Sequence, residues 1–233
     1  MLLIGGAASL FLYAQQPVSV GDKIGPSGLI LKGDFQAGIG NYEAAITLYN
    51  EALLSEPDYH EIHSRLGFVY YAAGEPAKSI EHFTRYTEIK SDDADGFYNL
   101  ANALYMNNKY KPAMEAYESS LKLEPSHAES MVGIGNIHND KKRYDEAMVW
   151  YQDALAINPD LGEAYEAMGW IYESKGQLEK SLEAFKNWVR IEPDSPQPHA
   201  VLALIYGKLG DEENAKKSRE RYLELQKKKR EAR

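Results

Sequence analysis

The sequence predicts an all-α solenoid of stacked antiparallel helix pairs, and three observations carry that prediction. Pro57, Pro125, Pro159 and Pro193 share one phase, with 34 residues from Pro125 to Pro159 and again to Pro193, and Ser91 holds the missing position. This phase defines six units: 26–59, 60–93, 94–127, 128–161, 162–195 and 196–229. Their eighth residue is small (Gly33, Gly67, Ala101, Gly135, Gly169, Ala203), and so is the twentieth (Ala45, Ser79, Ala113, Ala147, Ser181, Ala215). A large ring stands twenty-fourth at Tyr49, Phe83, Tyr117, Tyr151 and Phe185, until Arg219 breaks the series. Small side chains at matching places let two helix axes approach closely, while rings fill the space between neighbouring pairs. No unit buries its apolar face alone, so stacking has to supply the core.

The elements follow in order along the chain. Leu2 to Ala14 form an apolar run, short against the roughly 17–25 residues of a bilayer span. Three readings stand: a signal or anchor with a truncated start, a membrane-dipping segment, or a helix packed on the domain. No Lys or Arg precedes the run, yet membrane contact through residues 1–14 is the favoured reading. "QQPVSVGDKIGPSG" then has the composition of a linker, so residues 1–25 stand apart from the repeat domain at 26–229. Inside the units, "AAGEP" (72–76), "MNNKY" (106–110), "SKGQL" (174–178) and "KLGDE" (208–212) separate a first helix from a second. The phased proline follows the second helix, where it cannot continue the hydrogen-bond ladder. Residues 216–233 form a basic capping helix and tail, with nine Lys or Arg against three Glu. The chain as a whole is at −9, so its body is strongly acidic.

The 34-residue length, the small residues, the ring and the late proline together resemble the tetratricopeptide repeat. Unit 94–127, "ADGFYNLANALYMNNKYKPAMEAYESSLKLEPSH", is very similar to that pattern. Lys32, Gln36, Arg219 and Lys227 depart from it in the outer units, as capping requires. The resemblance implies a right-handed superhelix whose first helices line a concave groove, with groove-facing residues at positions two, five, six, nine and twelve. On that basis the candidate binding residues are Arg65, Phe68 and Tyr71, then Tyr98, Asn99, Asn102 and Tyr105, then Asn136 and Asn139, and finally Glu163, Glu166 and Trp170. The asparagines offer amides that can pair with the backbone of an extended peptide, and the rings offer rigid anchors. Family members that bind chaperone tails grip a carboxylate with groove Lys and Arg. Here Arg65 is the one base among these positions, against Asp95, Glu129, Glu163, Glu166 and Glu173. A neutral or basic partner segment is therefore expected rather than an acidic one.

Other chemistries find little support. An acidic body opposes nucleic-acid binding. The absence of Cys excludes thiol chemistry and thiolate metal sites. "HEIH" at 60–63 lacks zincin spacing, and His60 and His63 are expected as an exposed pair at a helix start. His138 stands where the repeat has an aromatic and reads as a packing substitute. No nucleophile, base and orienting group can be assembled, so no enzyme, metal or cofactor is expected. The expected function is a protein–protein interaction scaffold, an assembly factor or subunit of a bacterial membrane-associated complex, with the periplasmic side favoured. The alternative is a self-assembling scaffold on a membrane surface, as in the magnetosome, pilus and cytochrome-maturation proteins the chain resembles.

Overall fold

The structure, a computed structural model, describes residues 25–231. The expectations placed on residues 1–24 lie outside these residues. Twelve helices form six pairs among the described residues: α1 (Pro26–Gly38) with α2 (Tyr42–Leu53), α3 (His60–Ala72) with α4 (Pro76–Ile89), and α5 (Ala94–Met106) with α6 (Tyr110–Leu123). They continue as α7 (Ala128–Asp140) with α8 (Tyr144–Ile157), α9 (Gly162–Ser174) with α10 (Leu178–Ile191), and α11 (Pro196–Lys208) with α12 (Glu212–Glu231). Each helix packs on its pair partner, and each second helix also packs on the first helix of the next pair. This is the solenoid that the phase predicts. The capping helix starts at Glu212, four residues before the basic stretch, because Asp211 caps it through the backbone N–H and side-chain amide of Asn214.

Each pair turns at the fifteenth residue of its unit, and all six turns share one backbone geometry. Gly40, Gly74, Gly176 and Gly210 have φ between 71° and 78°, and Asn108 and Lys142 occupy the same left-handed region at 55° and 58°. The residue after each donates its backbone N–H five positions back, as Arg143 does to His138 and Gln177 to Tyr172, both at 2.9 Å. These bonds satisfy carbonyls that a helix end leaves orphaned.

The core repeats with the same phase. All six residues at position twenty are fully buried, and Ser79 and Ser181 donate their hydroxyls to the carbonyls of Gly67 and Gly169 at 2.8 and 2.9 Å. Above them lie the position-eight residues. A Cβ on Gly135 would stand 2.6 Å from the Tyr151 ring, and one on Gly169 2.6 Å from Phe185. The rings are buried to within 2% exposure from Tyr49 through Phe185. Arg219 is exposed, so the series stops at the polar last repeat.

Candidate functional site: the concave groove

The buried rings reach the groove through their edges. Where position twenty-four is tyrosine, its phenol donates to a polar residue at position nine of the same unit. Tyr49 bonds Asp34 at 2.6 Å, Tyr117 bonds Asn102 at 2.5 Å, and Tyr151 bonds Asn136 at 2.7 Å. Where position twenty-four is phenylalanine, position nine carries an aromatic ring set edge-on. Phe68 meets Phe83, and Trp170 meets Phe185, with centroids 5.1 Å apart in both. The groove floor is thus a ladder in which each ring has a partner matched to its chemistry.

This ladder changes the role expected of the asparagines. The Asn102 and Asn136 carbonyl oxygens already accept phenols, and the Asn136 amide donates to Glu163 at 2.7 Å. Their first duty is to satisfy buried tyrosines. Asn99 and Asn139 are half-buried and, among the described residues, make no side-chain hydrogen bond.

Half of the expected binding residues converge on one depression of about 240 Å³, formed by Tyr71, Tyr98, Asn102, Tyr105, Asn136 and Glu163. Sequence reasoning placed no binding role on Tyr117, which it read as a packing ring, nor on Met106 or Gly133; these complete the wall and floor with Glu129. Arg65, Phe68, Asn99, Asn139, Glu166 and Trp170 lie outside it. Phe68, Tyr71 and Trp170 remain exposed at 49%, 41% and 37%, enough to offer an apolar face to a partner.

The electrostatics are sharper than the composition implied. Arg65 bonds Asp34 at 2.8 Å and Glu61 at 3.3 Å, so the groove's one base is neutralised inside the protein. Asp95 accepts from His127 at 3.0 Å, and Glu173 pairs with Lys208. Glu129, Glu163 and Glu166 are left as the negative centre. Burial pushes the Glu166 carboxyl above its ordinary value, and the charges of Glu163 and Glu192 act the same way. Burial first, and then the Asp140 carboxylate that accepts its phenol, hold the Tyr105 hydroxyl well above its ordinary range.

The expectation for the histidines needs correction. His63 is 8% exposed rather than surface-lying, because it occupies the fourth position of its unit, an apolar place filled elsewhere by Leu29, Phe97 and Met131. The Pro57 carbonyl, 2.9 Å from His63 Nε2, can only accept, so that nitrogen carries the proton. His63 Nδ1 then accepts from His82 Nδ1–H at 3.1 Å, and His82 stacks on Tyr70. His199 repeats the motif, meeting the Pro193 carbonyl at 3.0 Å. His138 is half-buried, with Nδ1 enclosed and unpaired. Among the described residues, no three His, Asp or Glu are grouped so as to hold a metal ion, and no helix is long and apolar enough to cross a membrane.

Comparison with known proteins agrees with this architecture. Tetratricopeptide repeat models match residues 98–162, 138–205 and 197–229, and a TPR repeat model matches 39–74. The chain belongs to the tetratricopeptide repeat family, and it is a protein-interaction scaffold built of six such repeats. It is 30% identical over 93 residues to the small glutamine-rich tetratricopeptide repeat-containing protein 2 of Saccharomyces cerevisiae, a match covering 40% of this chain and 25% of that protein. Protein FlbA of Caulobacter vibrioides is 30% identical over 96 residues, covering 41% of this chain and 15% of FlbA. The matches thus span a quarter or less of these curated relatives.

Among solved structures, MamA superposes with a TM-score of 0.60 at 25% identity, over 69% of this chain and 94% of MamA. PilW, a widely conserved type IV pilus biogenesis factor, gives 0.71 at 19% identity, over 83% and 90% of the two chains. PilF of Pseudomonas aeruginosa gives 0.69 at 17%, over 87% and 97%. The last two likenesses show the fold alone.

Proposed function

We propose that the protein is a non-enzymatic adaptor that holds an extended, neutral or basic segment of a partner protein in its concave groove, as an assembly factor or subunit of a membrane-associated complex. The observation that carries this reading is the depression at the third and fourth repeats, where tyrosines and unpaired carboxylates meet with no basic side chain in its lining. Complementary charge would steer a basic segment toward it, and the exposed rings would anchor the flanks.

The test is co-purification from the native source. Tyr71→Ala with Trp170→Ala is expected to lose the captured protein, while Val149→Ala, exposed on a second helix, is expected to keep it. Capture unchanged by the groove pair, at unchanged helicity, would remove the groove from this role.

A second reading, self-association, is favoured by the two ends of the solenoid. Leu31 and Phe35 on α1 and Ile39 at its C-cap recur every four residues and are 44%, 64% and 63% exposed. At the other end, Ala203, Leu204, Tyr222 and Leu223 line a depression of about 450 Å³ beside Arg219, where the ring series stops. An apolar stripe at one end and an apolar cleft at the other suit head-to-tail contact between copies. Sedimentation of the full chain against Phe35→Ser, and against a chain lacking residues 1–25, tests it. A wild type that stays monomeric at high concentration excludes this reading.

A further inference from the structure

We infer that the depression at the third and fourth repeats is a receptor for the guanidinium group of an arginine carried by the partner segment. The inference rests on the groove reading above and assigns the chemistry of its central contact.

The depression exists because of one glycine. The sixth position of the neighbouring units carries Arg65, Asn99, Ala167 and Val201, whereas the fourth unit has Gly133. A Cβ there would stand 2.2 Å from the Tyr117 ring, so the missing side chain is what brings that phenol to the floor. Tyr71, Tyr98 and Tyr105 supply further aromatic wall. Tyrosine faces are electron-rich and attract cations within about 6 Å of the ring centroid.

The polar atoms of the lining are acceptors in surplus. Glu163 accepts one bond, from Asn136, leaving its second oxygen uncommitted. Among the described residues, the nearest basic nitrogen to the Glu129 carboxylate is 3.8 Å away, beyond hydrogen-bond distance. His127 Nδ1 lies 3.8 Å from Glu129, but that nitrogen accepts from the Ser130 N–H and carries no proton to give. These carboxylates stand at the second position of successive repeats, and both line the depression with the aromatic residues. A planar guanidinium presents five donors in a fixed fork, so it can reach two carboxylates while its face rests on a phenol ring. An ammonium is a compact and strongly hydrated point charge that satisfies this arrangement less well. The burial-raised Tyr98, Tyr105 and Tyr117 hydroxyls, all also facing the Glu163 charge, stay neutral beside such a cation.

The experiment is an NMR titration of the isotope-labelled full chain with three capped amino acids: N-acetyl-arginine methylamide, its lysine counterpart, and its citrulline counterpart. Citrulline keeps the shape of arginine and lacks the charge. The arginine amide is expected to shift the backbone amides of residues 98–106 and 129–136 saturably, with the lysine amide several-fold weaker and the citrulline amide without effect. Glu129→Gln is expected to weaken the arginine titration roughly tenfold, and added salt to weaken it further. Gly133→Ala, checked for helicity, is expected to abolish it by refilling the floor. If that variant unfolds, the Glu129→Gln arm decides.

Equal binding of citrulline or lysine, or no saturable shift from arginine, overturns the assignment. If arginine fails while Tyr71→Ala with Trp170→Ala still loses the native partner, the guanidinium assignment falls and the groove reading stands. Loss of an oligomer in Glu129→Gln would place the arginine on a second copy of this chain, against the proposal of a separate partner.

Discussion

The phenol of Tyr151 donates to the side-chain carbonyl of Asn136 at 2.7 Å, across fifteen residues of sequence and from one helix of a pair to the other. Tyr151 is fully buried, so its hydroxyl has no water to fall back on. Asn136→Ala is therefore expected to cost about 1–3 kcal/mol, the penalty of an unpaired buried donor. Tyr151→Phe should cost less, about 1 kcal/mol. The double variant should be closer to Tyr151→Phe than to the sum, which urea denaturation of all four proteins measures.

Lys142 sits at φ 58° in a place where four of the six repeats have glycine. Lys142→Gly is expected to raise stability by about 1 kcal/mol, because a Cβ is disfavoured in left-handed backbone. Asn108→Gly should gain less, since asparagine tolerates that region. A rise in the urea midpoint at constant slope is the signature to look for.

The ring ladder and the ion pairs on the outer surface differ sharply in weight. Phe83 is 2% exposed, and Phe83→Ala is expected to cost about 3–5 kcal/mol. Arg85 reaches both Asp58 and Glu88, yet all three side chains are solvent-exposed. Arg85→Ala should leave the melting temperature nearly unchanged in physiological salt. A loss approaching that of Phe83→Ala would contradict this ordering.

Stability should fall as pH drops below about 6.5, ahead of the carboxylate range. Burial, reinforced by the neighbouring His63, holds the His82 imidazole below its ordinary 6.5, with Glu81 opposing. Arg85 and Glu88 line the same outer depression. Burial lowers His138 too, helped by Arg143 and Lys141 against Glu146. Below 6.5 the unfolded chain takes up protons that the folded chain refuses, so the unfolded state is favoured. His82→Gln should flatten the pH 7.5 to 5.5 part of the curve, measured by denaturant midpoint at each pH. An equally steep curve in the variant would assign the effect elsewhere.

The repeat phase was legible because it is written in single residues at fixed intervals, and it placed all six helix pairs. The pairing of position twenty-four with position nine was written there as well, in the alternation of Tyr49, Tyr117 and Tyr151 with Asp34, Asn102 and Asn136, and of Phe83 and Phe185 with Phe68 and Trp170. A face assigned to each residue separately does not reveal this pairing, so asparagines that serve buried phenols read as available to a peptide. The burial of His63 also followed from phase, since its place is apolar in the neighbouring units. The depression was not legible. It arises from an absent side chain at Gly133 beside a ring on another helix, and no spacing rule marks a cavity.

The six left-handed turns have one more consequence. Each is closed by backbone hydrogen bonds, so every repeat turns from its first helix to its second through a bend that does not depend on which side chains flank it. The protein is in this sense a ruler with one graduation. Its working surface can be shortened or extended only by whole multiples of the repeat, and removing residues 94–127 would shorten the groove, take away the arginine receptor and set Tyr86 of α4, which packs where Gly96 has no Cβ, against Ser130 of α7.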